Sequence, residues 1–232
     1  MRFETTVEQI IQRTPDVMSF RFNRPGGFDF IAGQYMFITL KSGGKKLEKH
    51  FTISSSPTES DYIELTKKLT GHEFANALAA LKVGDKVTIN GPVGDFTFKG
   101  KYDKIAMLSG GIGITPLRSM IRYATDKQLK TDIILLYSNR SEDDIAFKDE
   151  LDEMQRKNKN LKVVHTITRP GEKWKGPTGR IDKEMIQREI PDYMGRIFYI
   201  SGPQKMVDSM TAVLKDMKVP NKQIKQEYFP GY

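Results

Sequence analysis

Short apolar runs separated by turn residues fill the first 98 residues of the chain. The segments 1–14, VMSFRFNR (17–24), QYMFITLK (34–41), HFTISS (50–55), YIELTKKL (62–69) and DKVTING (85–91) alternate or run apolar over the length of a strand. Gly43–Gly44 and Ser56–Pro57 are typical turn residues between them. One helical pattern, HEFANALAAL (72–81), has its apolar positions on one face. The pattern predicts a small antiparallel barrel that includes one helix.

The rhythm changes after Gly100, where apolar strands alternate with helical segments. Strands are predicted at 105–108, 132–138, 161–167, 196–200 and 224–229, and helices at 116–125, 144–158, 182–188 and 205–218. The run DIILLYS (132–138) is almost continuously apolar, as in a strand that is buried on both faces. Alternating strands and helices predict a doubly wound parallel sheet. We therefore expect two domains, a β-barrel over residues 1–99 and an α/β domain over residues 100–232.

A glycine-rich turn follows the first strand of the predicted α/β domain. In MLSGGIGITPLRSM (107–120), Gly110, Gly111 and Gly113 lie between that strand and a helix. Glycines let a backbone approach a phosphate, and the amide groups at a helix start favour an anion. Thr115 is suited to the N-cap and Pro116 to the first helical position. The segment predicts a pyrophosphate site, and the alternative is a turn that only packs the helix against the sheet.

Polar residues also end two other strands of the predicted sheet. Ser138, Asn139 and Arg140 end one of them, and the segment 201–203 ends another. Ligands of such sheets lie at the carboxyl ends of the strands, so these residues should converge on one crevice. Arg140 could pair with a ribose 2′-phosphate or stack on an adenine, or it could be an ordinary surface arginine.

Within the barrel half, KHFTISSSP (49–57) combines a cation, an aromatic ring and four hydroxyl groups. That combination suits a phosphorylated aromatic cofactor, although a serine-rich strand end is the commoner explanation.

Composition narrows the chemistry. The chain of 232 residues has no cysteine and only three histidines, which excludes disulfides, thiolate zinc sites and cysteine-bound iron–sulfur clusters and makes a histidine-rich metal centre improbable. No run approaches the roughly 18 apolar residues of a membrane span, and the start lacks the apolar core of a secretory signal, so we expect a cytoplasmic protein. The net charge of +8 is interleaved with acids. It fits either a solvated surface or a docking face for an acidic partner.

Six segments together resemble the ferredoxin–NADP reductase superfamily of flavoenzymes, and the resemblance covers essentially the whole chain. They are, in order, FIAGQYMFITL (30–40), KHFTISS (49–55), GPVGDF (91–96), SGGIGITP (109–116), YISGPQKM (199–206) and EYFPGY (227–232). The second is similar to the family's flavin motif, the fourth to its nicotinamide-nucleotide loop and the last to its aromatic tail. The size is similar to that of the minimal two-domain members, which include stand-alone flavin reductases.

The resemblance implies a barrel that holds FAD, or FMN, and an α/β domain that holds NADH or NADPH, with no metal or iron–sulfur cluster in the chain. It implies catalytic roles for Thr52 near flavin N5 and for Ser201 and Glu227 beside the nicotinamide. The expected cofactor-binding residues are Lys49, His50, Phe51, Thr52, Ile53, Leu65, Thr66, Lys67, Gly71, His72, Glu73, Phe74, Gly110, Gly111, Ile112, Gly113, Thr115, Pro116, Ser138, Asn139, Arg140, Gly202, Pro203, Met206 and Phe229.

Three positions depart from the family pattern. Lys49 stands where arginine is usual, so bidentate phosphate recognition is lost. The predicted helix start reads GHEF (71–74) where a serine is usual, which leaves FAD against FMN open. Ser201 replaces a common cysteine, so no thiol takes part in the hydride step. None of these departures removes the chemistry, because the flavin itself supplies it.

The expected function is that of an FAD-dependent NAD(P)H oxidoreductase with an external acceptor, first of all ferredoxin or another iron–sulfur protein. Free flavin as the acceptor is the alternative within this class. A non-catalytic docking subunit and a nucleic-acid-binding protein are hypotheses of other classes, and we expect neither nucleic acid nor a membrane as a partner. NADH against NADPH stays open, because Arg140 favours a 2′-phosphate while Asp143 and Asp144 oppose one.

Overall fold

Six antiparallel strands form the first half of the fold. A computed structural model of the chain describes residues 1–229. The strands are β1 (Arg2–Thr14), β2 (Val17–Asn23), β3 (Tyr35–Ser42), β4 (Lys45–Thr52), β5 (Tyr62–Lys68) and β6 (Lys86–Val93). They lie in the order β4-β3-β6-β1-β2-β5, and an antiparallel bridge between Ile53 and Leu65 joins the two outer strands. The predicted antiparallel barrel is confirmed.

Alternating apolar positions of these strands fill the interior of the barrel. Phe20 and Phe22 on β2 and Met36 and Ile38 on β3 are fully buried there. The short helix α1 (Glu73–Ala79) adds Phe74 and Leu78 to the same core and packs against β3 and β4. The polar positions between them face outward, so the alternation of apolar and polar residues along each strand corresponds to the two faces of the sheet.

Five parallel strands form the second half, namely β7 (Lys104–Gly110), β8 (Asp132–Asn139), β9 (Leu161–Ile167), β10 (Ile197–Pro203) and β11 (Ile224–Phe229). Their order is β11-β10-β7-β8-β9. Helices α2 (Ile114–Asp126) and α3 (Lys148–Lys157) cover one face, and α4 (Lys183–Glu189) and α5 (Gln204–Asp216) cover the other. The doubly wound parallel sheet is therefore confirmed. Within residues 1–229, no helix is long and apolar enough to cross a membrane.

The two halves share apolar contacts. Val17, Ala32 and Phe98 from the barrel half lie in the core beneath α2, and the Tyr199 hydroxyl donates to the Thr97 carbonyl at 2.9 Å. The predicted domain division after Lys99 falls between β6 and β7 and stays a prediction.

The predicted strand at 50–55 is wrong in its position. Positive φ angles of 54° and 77° at Gly43 and Gly44 turn the chain so that β4 pairs with β3 from Lys45 onward. The start of β4 was not predicted because its exposed lysines show no apolar alternation. A strand at the solvent-exposed edge of a sheet does not need such alternation. After Thr52 the backbone leaves the strand, and the Ser54 amide donates to the Glu64 carbonyl at 2.8 Å.

Two predicted helix starts are also wrong. Helix α2 begins at Ile114 and is preceded by a 3-10 turn over Gly111–Gly113, so Gly113 is its N-cap and Thr115 and Pro116 lie inside its first turn. Proline is tolerated there because the first four amides of a helix have no partner within it. Helix α3 begins at Lys148 instead of Asp144, because the buried Phe147 adopts a left-handed conformation (φ 62°) that redirects the chain.

Candidate active site

One row of polar side chains crosses the parallel sheet near its carboxyl edge. Glu227, Ser201, Ser109, Tyr137 and His165 are aligned in register across β11, β10, β7, β8 and β9. Ser109 Oγ, Ser201 Oγ, Glu227 Oε2 and both ring nitrogens of His165 are buried, and none has a hydrogen-bond partner within residues 1–229. Buried polar atoms almost always have partners in native proteins, so this row is a candidate ligand site.

The row reaches the barrel at Thr52, the last residue of β4. Thr52 is 4% exposed, and its hydroxyl also has no partner among the described side chains and backbone groups. Thr52 and Glu227 line a pocket of about 100 Å³ together with Tyr35, His50, Tyr228 and Phe229. The structure thus brings Thr52, His50, Glu227 and Phe229 together from the two halves of the chain. Ser201 lies next to Glu227 in register.

The carboxyl group of Glu227 is the perturbed acid of this pocket. Burial raises its pKa to about 7. The group therefore keeps its proton to a higher pH than an exposed glutamate does. A carboxyl group with such a pKa can donate or accept a hydrogen bond in a ligand complex.

The predicted nucleotide loop is the turn between β7 and α2. A Cβ at Gly113 would lie 2.3 Å from the Ser201 carbonyl oxygen, and a Cβ at Gly110 would lie 2.5 Å from Met206 Sδ. Glycine is therefore required at position 113, where α2 packs against the backbone of β10, whereas the contact at Gly110 is with the end of a flexible methionine side chain on α5 that can move. Of the three glycines in this turn, Gly111 alone combines a positive φ, of 53°, with open space around its Cβ position.

Other residues of this loop are buried within the protein. Ile112 packs in the core under α2, and the Thr115 hydroxyl donates to the Ile112 carbonyl at 3.2 Å. Pro116 is buried in the first turn of α2. Pro203 is the N-cap of α5, and Met206 packs against Gly110 and Gly202. The predicted roles of these side chains stay predictions, and their contacts are internal.

Aromatic rings and lysines meet beside β4. The ring of Phe51 lies 5.3 Å from that of Phe74, and Lys67 Nζ is 5.6 Å from the Phe51 ring centroid. Burial, and then the nearby charge of Lys49, lowers the pKa of Lys67. Cations beside a pair of packed aromatic rings suit a ligand that carries both a phosphate and a flat ring system.

Several predicted flavin contacts face inward. The side chains of Ile53 and Leu65 lie in the barrel core, and the Thr66 hydroxyl forms hydrogen bonds with those of Ser19 and Ser54. These residues can offer only backbone groups to a ligand. Gly71 has a positive φ of 73° and precedes a helix of seven residues, whose N-cap His72 forms no side-chain capping bond. Glu73 places a carboxylate in its first turn.

The end of β8 is partly buried. Both amide atoms of Asn139 are buried without a partner in residues 1–229, Ser138 is half-buried and Arg140 is exposed. Asp144 accepts hydrogen bonds from the backbone amide and the hydroxyl of Ser141, at 3.0 and 2.7 Å. Asp144 is thus already engaged, and Asp143 is exposed near Arg140.

Sequence reasoning missed a buried cluster of charged residues, which we call the arginine–glutamate cluster. Its members are Arg13, Arg21, Glu59, Glu64, Arg118 and Glu150. Although burial opposes ionisation, Arg118 lowers the pKa of Glu59 to about 2. An arginine among the apolar positions of ITPLRSMI was the available signal, because such a residue needs buried partners. Within residues 1–229, no group of three or more His, Asp or Glu side chains could hold a metal ion.

Two family models match the chain. Residues 4–98 match an oxidoreductase FAD-binding domain, and residues 107–212 match an oxidoreductase NAD-binding domain. The glycine betaine monooxygenase reductase subunit of Chromohalobacter salexigens is 34% identical over 215 residues, which are 89% of this chain and 58% of that protein. NADH-cytochrome b5 reductase 1 of Dictyostelium discoideum is 32% identical over 84% of this chain and 71% of that protein.

Solved structures show the same fold. A ferredoxin NADP+ reductase from Neisseria gonorrhoeae with bound FAD and NADP superposes with a TM-score of 0.84 and 21% identity, over 98% of each chain. The FAD/NAD-binding domain of nitric oxide dioxygenase from Vibrio cholerae gives 0.88 and 19%, over 97% of this chain and 98% of that one.

Proposed function

The chain belongs to the ferredoxin–NADP reductase-like family of FAD- and NAD(P)-binding oxidoreductases, and we propose that it oxidises NAD(P)H and delivers the electrons to a separate acceptor protein. The observation that carries the proposal is that Thr52, Ser109, Ser201 and Glu227 have buried polar atoms without hydrogen-bond partners in the described part of the chain, where the two halves meet. A flavin and a nicotinamide have donors and acceptors that would complete these groups.

The barrel half, residues 1–99, would hold the flavin. Lys49 and Lys67 would neutralise its phosphate groups, and Phe51, which is itself supported by the buried Phe74, would pack against its aromatic ring system. Thr52 would hydrogen-bond to the ring near the reacting atom. FAD fits this set, and FMN, which offers one phosphate group, fits it as well. The flavin, when bound, supplies the hydride and electron-transfer chemistry.

The second half, residues 100–232, would hold the nicotinamide nucleotide. The turn around Gly111 has the open backbone that a pyrophosphate needs, at the start of the thirteen-residue helix α2. Ser109 and Ser201 would orient the nicotinamide through their hydroxyl groups. Arg140, Asn139 and Ser138 would contact the adenosine end. With these contacts the protein would hold the nicotinamide in line with the flavin, which is the main catalytic task left to the chain.

Glu227 and Phe229 would close the pocket over the reacting atoms. Because its pKa is raised to about 7, the Glu227 carboxyl can hold a proton at neutral pH and donate it to a hydrogen bond with the nicotinamide amide. The ring of Phe229 would exclude water from the flavin face. Pro230, Gly231 and Tyr232 of the predicted aromatic tail lie outside the described residues.

For the acceptor we propose ferredoxin or another acidic iron–sulfur protein. Tyr35, Phe37 and His50 form a cluster of aromatic rings on the outer barrel face beside the pocket, with centroid distances of 5.3 to 5.9 Å. The β3–β4 hairpin extends from this cluster and carries the exposed lysines Lys41, Lys45 and Lys46. Acidic partners are steered to such a surface. Related proteins named as reductase subunits support a separate acceptor, and this chain spans 58% of the length of the first of them.

An anaerobic visible spectrum of the purified protein tests the flavin proposal. We expect the absorption of an oxidised flavin, supplied by FAD if the protein is purified without it, and its loss on addition of NADH or NADPH. A protein that binds neither FAD nor FMN, or whose flavin keeps its colour with both nucleotides, would contradict the proposal. A flavin that binds only transiently and is reduced in many turnovers would favour free flavin as the acceptor.

Charge reversal tests the acceptor surface. Lys45→Glu combined with Lys46→Glu should slow electron transfer to an acidic ferredoxin and weaken its dependence on salt, while ferricyanide reduction stays unchanged. Lys127→Glu combined with Lys130→Glu is the matched control, because both lysines are exposed after the C-terminal end of α2, away from the pocket. Equal effects of the two changes on ferredoxin reduction would refute the surface.

A further inference from the structure

Arg118 is a fully buried arginine that uses every donor of its guanidinium group. It is 1% exposed. Its Nε donates to Glu150 at 3.0 Å, and its Nη atoms donate to both carboxylate oxygens of Glu59, to Glu150 and to the Ser54 carbonyl, the last at 3.1 Å. A guanidinium has five N–H groups, so no donor is left for a ligand.

The partners of Arg118 connect the two halves of the molecule close in sequence to Thr52, which lines the pocket. Arg118 lies on α2, the helix that begins at the Gly111–Gly113 turn, and Ser54 is two residues beyond Thr52. The next residue of α2, Ser119, donates its hydroxyl to the Ser55 carbonyl at 2.6 Å. Helix α2 therefore holds the backbone that follows Thr52 by two consecutive hydrogen bonds.

The barrel holds the same segment from the other side. The Ser54 amide donates to the Glu64 carbonyl at 2.8 Å, and the Ser54 hydroxyl donates to the Glu64 carboxylate at 3.1 Å. Arg13 joins Glu64 to Glu150, with contacts of 3.1 and 2.6 Å. Ser54 is thus bonded both to the barrel and to the helix of the nucleotide turn.

The arginine–glutamate cluster is balanced in charge. Arg13, Arg21 and Arg118 face the carboxylates of Glu59, Glu64 and Glu150. Such a balance lets the buried charges of Arg118 and Glu64 persist among four partly buried partners, and it fixes their geometry, because each carboxylate is shared or bidentate.

We propose that Arg118 is a positioning residue: through Ser54 it fixes Thr52 on the barrel relative to Ser201 and Glu227 on the parallel sheet, and so sets the alignment of flavin and nicotinamide. The inference rests on the proposed function for its consequence in the reaction. The restraint that Arg118 places on the segment after Thr52 does not depend on that function.

The chain offers a matched control in Arg196. This second arginine is 3% exposed and is likewise bonded to two carboxylates, those of Asp132 and Asp192, and to a backbone carbonyl, that of Ile105 at 3.1 Å. Arg196 precedes β10 and contacts the starts of β7 and β8, at the sheet edge opposite the pocket. Arg196→Lys therefore disrupts a second arginine–carboxylate network, whose aspartates are 38% and 44% exposed, without touching the segment after Thr52.

Hydrogen–deuterium exchange of the protein without added ligands is the first readout. Arg118→Lys should speed exchange in peptides covering residues 50–56 by about tenfold or more, which corresponds to the loss of about 1.4 kcal/mol of local protection. Arg196→Lys should leave those peptides unchanged. If Arg118→Lys does not fold, Ser119→Ala removes the neighbouring bond to Ser55 without leaving a buried charge and should give a smaller increase in the same peptides.

Flavin reduction at saturating nicotinamide nucleotide is the second readout. Arg118→Lys should lower the limiting rate by about tenfold or more, because small misplacements of reacting groups have effects of up to about a hundredfold, while the flavin dissociation constant stays the same. Unchanged exchange at residues 50–56, or equal losses of rate in Arg118→Lys and Arg196→Lys, would overturn the inference. A wild-type protein whose flavin is not reduced would contradict the proposed function instead, and the exchange measurement would still decide on the restraint.

Discussion

Two buried polar regions lie close together in this protein and differ in how their hydrogen bonds are completed. In the arginine–glutamate cluster, Arg118 has all its donors paired, and Glu64 accepts from two arginines and has three hydroxyl groups within 3.2 Å of its carboxylate. In the row at the carboxyl edge, Ser109, Ser201 and Glu227 keep buried atoms without partners in residues 1–229. The residue types overlap, since both regions contain hydroxyl groups and carboxyl groups.

The difference distinguishes polar groups that stabilise the fold through internal hydrogen bonds from polar groups that are available to bind a ligand. A fully paired cluster contributes a fixed geometry, and a change to any member leaves an uncompensated charge. An unpaired row costs stability in the free protein and recovers it when a ligand supplies the missing partners. Thr52 belongs to the unpaired region, and Ser54, two residues later, is bonded to the arginine–glutamate cluster. The two regions are therefore coupled through the backbone between these residues.

The largest effect is expected from Glu64→Gln in the paired region. The change leaves Arg13 and Arg21 without their shared carboxylate, which should lower the free energy of unfolding by about 3–5 kcal/mol. Urea denaturation measures it. Glu48→Gln, at an exposed position of β4, is the control and should change stability by less than about 0.5 kcal/mol. Similar midpoints for both variants would mean that the cluster does not hold the barrel together.

The pH dependence of stability tests the unpaired row at Glu227. The folded pKa is raised to about 7 from an ordinary value of 4.5, so the folded protein keeps a proton that the unfolded chain has lost. Stability should therefore fall as the pH rises from about 5 to about 7, by up to about 3 kcal/mol, and Glu227→Gln should remove that fall. Thermal melting of both proteins between pH 5 and pH 8 is the measurement. Parallel melting curves would contradict a buried acid at this position.

Gly113→Ala tests the close packing that places the row beside the nucleotide turn. Its Cβ would meet the Ser201 carbonyl oxygen at 2.3 Å and the Gly202 Cα at 2.4 Å, so α2 must move away from β10. We expect a loss of about 1–3 kcal/mol in stability and weaker binding of nicotinamide nucleotides, measured by denaturation and calorimetry. Gly195→Ala, where no atom lies within 4 Å of the Cβ position, should leave both unchanged. If Gly113→Ala kept its full affinity for nicotinamide nucleotides, the turn would not be part of the nucleotide site.

The smallest effect, and the closest comparison of the two regions, comes from two serine substitutions. Ser201→Ala removes a buried hydroxyl without a partner and should be neutral or stabilise the free protein by about 1 kcal/mol. Ser54→Ala removes a hydroxyl bonded to Glu64 and Thr66 and should destabilise it by about 1 kcal/mol. Chemical denaturation in the absence of nucleotide and flavin compares them. If both substitutions changed the free energy of unfolding in the same direction, the proposed difference between the two regions would be contradicted.

Much of the fold follows from local sequence patterns. The alternation in β2 and β3 and the continuous apolar run of β8 predicted their strands within a few residues, because those patterns report burial on one face or on both. The position of β4 was predicted wrongly because its lysines lie on an exposed edge. The first residue of α3 was predicted wrongly because the left-handed conformation of Phe147 has no signature in the sequence.

The candidate site was predictable in its parts and not in its arrangement. The residues Thr52, Ser201 and Glu227 came from the family resemblance, whereas their common lack of partners depends on the register of β10 with β11 and on where β4 ends. The arginine–glutamate cluster draws its six members from β1, β2, β5, α2, α3 and the loop at Glu59. No local pattern links such distant segments, and the buried position of Arg118 in α2 was the single local indication.

The rate of flavin reduction in Glu227→Gln tests most directly whether the unpaired row is where nicotinamide and flavin meet. In anaerobic rapid mixing with saturating NADH or NADPH, the variant should show a limiting rate lower by about tenfold or more, which is about 1.4 kcal/mol of barrier, with an unchanged flavin dissociation constant. Glu48→Gln should react like the wild type. A Glu227→Gln protein that reduces its flavin as fast as the wild type would contradict the assignment of this row to the reaction.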